Sequence, residues 1–331
     1  MKNKNILNFI IIVIITGVVL YFSLKDNFVQ IVDTIVNMNI IYVIFAVICY
    51  ILYVFLKSIV NTMITKNFNK DYNLKKSFRM GIETNFFHAI TPFSSGGQPY
   101  EIYRLSKDGV SVLNAANVSI QNFIIYQLAL VFLGVLAIIY NYTFNLFPNN
   151  KVLESLVTLG FVINLLVAIM LLIIILFKKM NNLLAKLFIN ILSFFHLVKD
   201  KDLKLKQVTN HLNEFNEGGK LLLKDKPKFI KMFLIEFLAL VLLYTVPFFI
   251  ILGSGMNINI ITVIVSSAYV MLIGSFVPIP GGTGGLEYGF IAFFGNFIVG
   301  SKLNAIMLVW RFITYYLGMI VGLIVLDLRK K

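Results

Sequence analysis

Seven apolar runs close to the roughly 20 residues that carry an α-helix across a bilayer recur along this 331-residue chain, at 6–24, 40–60, 112–140, 156–177, 229–252, 258–277 and 303–326. Backbone in hydrocarbon must satisfy its own hydrogen bonds, so runs of this kind restrict the chain to a bundle of membrane helices. Composition agrees. With 59% hydrophobic and only 13% charged residues and a mean hydropathy of +0.86, the chain lies outside the range of water-soluble domains. Two further runs, 80–90 and 286–299, are too short to cross. The expected fold class is an all-α polytopic membrane protein with about seven full spans plus two short broken or re-entrant segments. Lys2 and Lys4 precede the first run as in a signal peptide, but the run is long and lacks a small-residue cleavage site, so it reads as a retained anchor. The single cysteine, Cys49, falls inside the second run and reads as a packing residue.

The formal charge of +14 resides in particular loops. Lys66, Lys70, Lys75, Lys76 and Arg79 form one basic loop, Lys178, Lys179 and the stretch 199–231 another, and Arg329, Lys330 and Lys331 end the chain. The intervening loops at 141–151 and 253–257 are nearly uncharged, an alternation that the positive-inside rule expects. The charge therefore reports topology rather than a nucleic-acid partner. Both termini are expected on the cytoplasmic side of the cell (plasma) membrane.

Between 178 and 228 the sequence leaves the membrane. Leu183, Leu184, Leu187, Phe188, Ile191, Leu192 and Phe195 recur at helical spacing, the pattern of a helix lying in the interface. Leu205, Val208, Leu212 and Phe215 continue the stripe until Gly218 and Gly219, where it is expected to end. The chain thus divides into an N-terminal membrane repeat (1–177, broken at 80–105), cytoplasmic interfacial and linker helices (178–228), and a C-terminal membrane repeat (229–331, broken at 278–299). The linker is too short for a soluble catalytic domain.

The breaks read "TPFSSGGQPYEIYRL" and "VPIPGGTGGLEYGF", and both obey Pro-x3-Gly-x4-Glu, through Pro92, Gly96, Glu101 and Pro278, Gly282, Glu287. Followed through the expected topology, the first is approached from the cytoplasmic side and the second from the outside. Two halves broken at corresponding places are the signature of inverted-topology repeats with a substrate site near the midplane. Proline removes a donor and glycine permits unusual backbone, so both breaks leave polar backbone that must line a cavity or be buried in protein. A tight surface turn is the plain alternative. A nucleotide loop is a poor third option, because neither a Walker Gly-Lys-Ser/Thr nor a strand context follows the glycines.

Pro92, Gly96, Gly97, Pro278, Gly281, Gly282, Gly284 and Gly285 are the candidate substrate-binding backbone, with Glu101, Arg104, Glu287 and Arg311 as charged partners. Ionisable groups at a helix centre cost ~2.5–3.5 kcal/mol on insertion scales. Arg311, deep in "MLVWRFITYYLGMI", therefore needs either a salt bridge to Glu287 or a phosphate, which guanidinium binds through paired, charge-assisted bonds. Glu101 and Arg104, three apart, share a helical face and read as an interfacial pair or as the rim of the site. Asn114, Asn117 and Gln121 form a polar stripe, either bonding a neighbouring helix or lining the cavity. Glu236 reads as a bundle contact. Glu83, His88, His196 and His211 make no metal constellation, and no catalytic triad or cofactor motif is present.

The two breaks, together with "WRFITYYLGMIVGL", resemble the flippase-like family defined by the transmembrane region of lysylphosphatidylglycerol synthases, the membrane half of multiple peptide resistance factors. The resemblance implies a carrier that moves a polar phospholipid, such as lysyl-phosphatidylglycerol, or a polyprenyl-phosphate lipid between leaflets by alternating access. In the complete enzymes a cytosolic aminoacyl-transferring domain follows this region. Here the chain ends at Lys331 directly after its last span, so transport rather than synthesis is expected, with a separately encoded soluble transferase as a candidate partner and an oligomer as an open question. The alternative is a phosphatidylglycerol lysyltransferase or its membrane subunit, contributing to cationic-peptide resistance.

Overall fold

A computed structural model of the chain describes residues 28–148, 151–194, 198, 200–274, 277 and 279–328. The apolar run at 6–24, the basic end of the chain and Pro278 lie outside the described residues. Among those described, the protein is all helical.

Five helices are long and apolar enough to cross a membrane. A short α1 (Phe28–Val36) leads into α2 (Ile40–Thr65), which starts where Asn39 accepts a hydrogen bond from the Ile41 amide. Its 26 residues, at about 1.5 Å rise each, exceed the roughly 30 Å of hydrocarbon. Helix α5 (Val112–Phe144) starts at a Ser111 cap and stops where Asn145 turns left-handed, at φ +47°. Helix α6 (Lys151–Leu176) follows, and α9 (Lys226–Gly253) begins at an Asp225 cap with Pro227 in its first turn, where no intrahelical donor is needed. The last crossing is composite: α12 (Ser301–Arg311), a π-helical turn (Phe312–Tyr316) and α13 (Leu317–Asp327). Helices α2 and α9 pack along each other and join the two halves of the chain.

Two helical hairpins complete the bundle. In the first, α3 (Leu74–Ala89) reverses through a 3₁₀ turn (Pro92–Ser94) into α4 (Gly97–Lys107). In the second, α10 (Ile260–Gly274) reverses through a 3₁₀ turn (Pro280–Gly282) into α11 (Gly285–Phe294). Within each hairpin the arms pack together, and the two turns touch one another. The run at 258–277 is therefore not one continuous crossing helix: α10 has 15 residues and forms the first arm of a hairpin.

The structural register of the hairpins differs from the sequence match on glutamate. Each turn starts at a proline, Pro92 or Pro280, and places two successive residues at positive φ, Phe93 and Ser94 (both +53°) or Gly281 and Gly282 (both +64°). Each is followed by a hydroxyl residue, two glycines and, three residues after the second glycine, a tyrosine. The shared pattern is Pro-x2-Ser/Thr-Gly-Gly-x2-Tyr, which sets Gly96 and Gly97 against Gly284 and Gly285, and Tyr100 against Tyr288. In this register Glu101 and Glu287 are not equivalent.

Between the halves lie α7 (Lys178–Phe194) and α8 (Lys201–Lys224). Helix α7 turns Asn181, Ala185 and Ile189 inward and leaves Leu183, Leu187, Phe188 and Ile191 exposed. Gly218 and Gly219 do not end the stripe on α8. They sit inside the helix, where a Cβ would meet Asn117 and Ile175 at 2.5 Å, and they let α8 approach α5 and α6 closely. Asn216 strengthens that contact by donating to the carbonyls of Ile174 and Ile175.

Candidate functional site

The meeting turns of the hairpins border a cavity of about 620 Å³ whose walls come from both halves of the chain. Its second-half wall is built on Arg311, which is 4% exposed. Arg311 Nε donates to Glu287 Oε1 at 2.7 Å, and Nη2 donates to the Gly281 carbonyl at 3.0 Å and reaches Thr283 Oγ1 at 3.5 Å. The other carboxylate oxygen of Glu287 accepts from the Gly284 amide at 2.7 Å. Glu287 therefore fills the anion position at the start of α11 and balances Arg311 at once. Of the guanidinium nitrogens, Nη1 takes no part in these bonds. Glu287 stands behind Arg311, which faces the cavity.

The π-helical turn directly after Arg311 re-aims the aromatic residues beside it. Such insertions are frequent at functional sites. Here it presents the Tyr315 ring 4.5 Å from the guanidinium carbon and lets Tyr315 OH donate to the Ala89 carbonyl at 3.1 Å, tying the last crossing to the first hairpin. Gly281 lies directly on that ring. A Cβ there would come within 2.1 Å of Tyr315, and φ of +64° further restricts the position to glycine.

The first-half wall is built differently. Glu101, on α4, accepts hydrogen bonds from Asn61, from Asn122 Nδ2 at 2.8 Å and from Ser119 Oγ at 2.9 Å, all neutral donors. Arg104 turns away to Asp108, at 2.6 Å, and is not among the residues lining the cavity. Gly97 lets the start of α4 lie against the His88 ring, which a Cβ would strike, and His88 in turn binds the Ser94 carbonyl through Nδ1. Gly96 donates its amide to Thr91 Oγ1 at 2.8 Å. Glu83, read from the sequence only as part of no metal site, is buried, bonded to Arg79 and accepting from Tyr100 OH at 2.7 Å.

Of the candidates named from the sequence, Glu101, Gly281, Gly282 and Arg311 line the cavity. Pro92, Gly96, Gly97, Gly284, Gly285 and Glu287 shape the turns behind it. None of Asn114, Asn117 and Gln121 lines the cavity, and the last two face α8 instead: Asn117 abuts Gly218, and Gln121 Nε2 donates to the Gly218 carbonyl at 2.9 Å. The neighbouring face of α5 carries the cavity residues Ser119, Asn122 and Tyr126.

Sequence reasoning missed Lys57. It lies in the C-terminal third of α2, lines the cavity, and approaches Glu236 of α9 at 3.9 Å. Its ammonium also sits 5.5 Å from the Tyr53 ring centroid and 5.0 Å from that of Tyr126. The signal was present in "VFLKSIVN": a cation inside an apolar run requires a partner. Among the described residues no group of three or more His, Cys, Asp or Glu is placed to hold a metal ion.

A family model described as the lysylphosphatidylglycerol synthase TM region matches residues 7–322, nearly the whole chain. No curated protein matches the sequence significantly. The chain belongs to the family of lysylphosphatidylglycerol synthase transmembrane regions.

Proposed function

We propose that this member of the family is a carrier that moves a polar phospholipid between leaflets of the plasma membrane, its two halves acting as inverted repeats that expose one cavity alternately to either side. The observation that carries the reading is the cavity itself, enclosed by two hairpin tips with the same Pro-x2-Ser/Thr-Gly-Gly-x2-Tyr register and walled by Arg311. Non-helical backbone at membrane depth is tolerated where it lines such a space. The lipid phosphate binds the free edge of Arg311, which Glu287 and the Gly281 carbonyl hold in orientation, while the acyl chains remain in the bilayer. Lysyl-phosphatidylglycerol, named in the family's description, is the leading substrate, with polyprenyl-phosphate lipids as the competing class. The lysine-rich loops support a topology with both termini in the cytoplasm.

The word synthase in that description favours a second reading, in which the chain is the membrane subunit of a lipid-aminoacylating assembly. Accessibility separates the two. In a Cys49→Ala background, Gln98→Cys places a thiol on the cavity wall. A carrier exposes this thiol to membrane-impermeant reagent from both faces of a vesicle, and added phospholipid slows the labelling. Labelling from one face only, unaffected by lipid, contradicts alternating access and supports the subunit reading.

A further inference from the structure

The cluster around Lys57 is not used by the phosphate reading, and its geometry is incomplete in a specific way. Lys57 Nζ lies 3.9 Å from Glu236 Oε1, beyond hydrogen-bond distance. Glu236 is 2% exposed, yet Oε1 makes no hydrogen bond, and the same holds for the hydroxyl of Tyr244, also 2% exposed. Buried polar atoms without partners are rare and costly. Both residues line the cavity, next to the Tyr53 and Tyr126 rings that flank the Lys57 ammonium.

Charge points the same way. Arg311 is balanced by Glu287. Among the described residues Lys57 is the cation in salt-bridge range of Glu236, and Glu101, which lines the same cavity, is held by neutral donors, so two cavity carboxylates are matched by a single ammonium. Tyrosine faces with a carboxylate form the surroundings in which proteins recognise ammonium ligands. The Lys57 side chain is 39% exposed whereas that of Glu236 is 3% exposed. The cation can withdraw on its flexible stem; the acceptor cannot.

We infer that Tyr53, Tyr126, Tyr244 and Glu236 form a subsite for a primary ammonium, and that Lys57 is its resident competitor. An arriving ammonium takes the unpaired oxygens of Glu236 and Tyr244, and Lys57 swings toward Glu101. Lys57 thereby sets how strongly the cavity selects cation-bearing head groups. This inference rests on the carrier reading, but its test separates the two.

Trp310, the only tryptophan, lines the same cavity and reports occupancy through its fluorescence. Purified protein in detergent is titrated with short-chain phosphatidylethanolamine, its N-acetylated derivative, and free ethanolamine. The ethanolamine lipid should bind about tenfold more tightly than the acetylated one. That preference should collapse in Glu236→Gln, and Lys57→Met should strengthen binding of the ethanolamine lipid by about threefold or more. Lys57→Gln repeats the measurement if the methionine variant fails to fold. Equal binding of both lipids by the wild type, or a preference that survives Glu236→Gln, overturns the subsite and leaves the carrier intact. Free ethanolamine binding as well as the lipid does overturns its assignment to a lipid head group. Failure of every lipid to bind overturns the carrier reading and this one together.

Discussion

The two hairpin tips have one backbone plan but are held by different chemistry. At the second tip the positive-φ positions are Gly281 and Gly282, and a buried ion pair, Arg311 with Glu287, clamps the turn through the Gly281 carbonyl and the Gly284 amide. At the first, the same positions are Phe93 and Ser94, which pay for left-handed backbone with strain of about 1–2 kcal/mol each, and the nearby carboxylate Glu101 is held by neutral amides and a hydroxyl. The second tip is fixed by charge and close packing. The first is held by hydrogen bonds from neutral donors, against backbone strain.

The contrast can be broken most forcefully at Arg311. Arg311→Ala leaves Glu287 buried without its cation and should destabilise the protein by roughly 3–5 kcal/mol. Thermal unfolding in detergent checks this, and a stability near that of the wild type would mean that the clamp is not structural. Gly281→Ala tests the packing half of the clamp. Its Cβ would press on Tyr315 at positive φ, for an expected loss of roughly 2–4 kcal/mol from strain and overpacking. A tip that absorbs this alanine would contradict the rigid side of the comparison.

At the first tip effects should be smaller. Glu101→Gln keeps a carbonyl oxygen on the Asn61 and Asn122 donors, which share one carboxylate oxygen, and turns its amide nitrogen to the Ser119 hydroxyl; exchanging charge-assisted for neutral hydrogen bonds should cost about 1–2 kcal/mol, less than Arg311→Ala in the same unfolding assay. An equal or larger loss would invert the ranking of the tips. Smallest is Phe93→Gly, which relieves strain but loosens the unfolded chain. A net gain of roughly 0.5–1 kcal/mol is expected, and a clear loss would show that the Phe93 side chain, exposed on the cavity wall, contributes contacts of its own.

Much of this was legible in the sequence because hydrocarbon leaves few options. The long helices and both breaks follow from apolar length and Pro/Gly punctuation, and the cost of an isolated charge called for a partner to Arg311 while leaving Glu287 and a phosphate as alternatives. The register of the breaks was not: a three-position match ending on glutamate drew Glu101 and Glu287 together, whereas the turns align on Pro92 and Pro280. Polar spacing on α5 identified an inward face, but two faces of that helix are polar, and spacing alone does not say that Asn117 meets α8 while Asn122 meets the cavity. Glycines 218 and 219 read as a stop because only tertiary contact shows when small residues serve helix packing instead. Lys57 was overlooked inside a long apolar run, although the cost of a charge there already called for a partner such as Glu236.

The central claim is that the cavity between the tips carries a lipid from one leaflet to the other. Leaflet-resolved transfer of fluorescent phosphatidylglycerol, its lysyl derivative and a polyprenyl phosphate in proteoliposomes tests it most directly, with Arg311→Lys as the control that keeps the charge but loses the guanidinium fork. Transfer of one lipid by the wild type, with most of it lost in a folded Arg311→Lys protein, is the predicted result. Transfer of none by folded wild-type protein, or transfer indifferent to Arg311, would contradict the account.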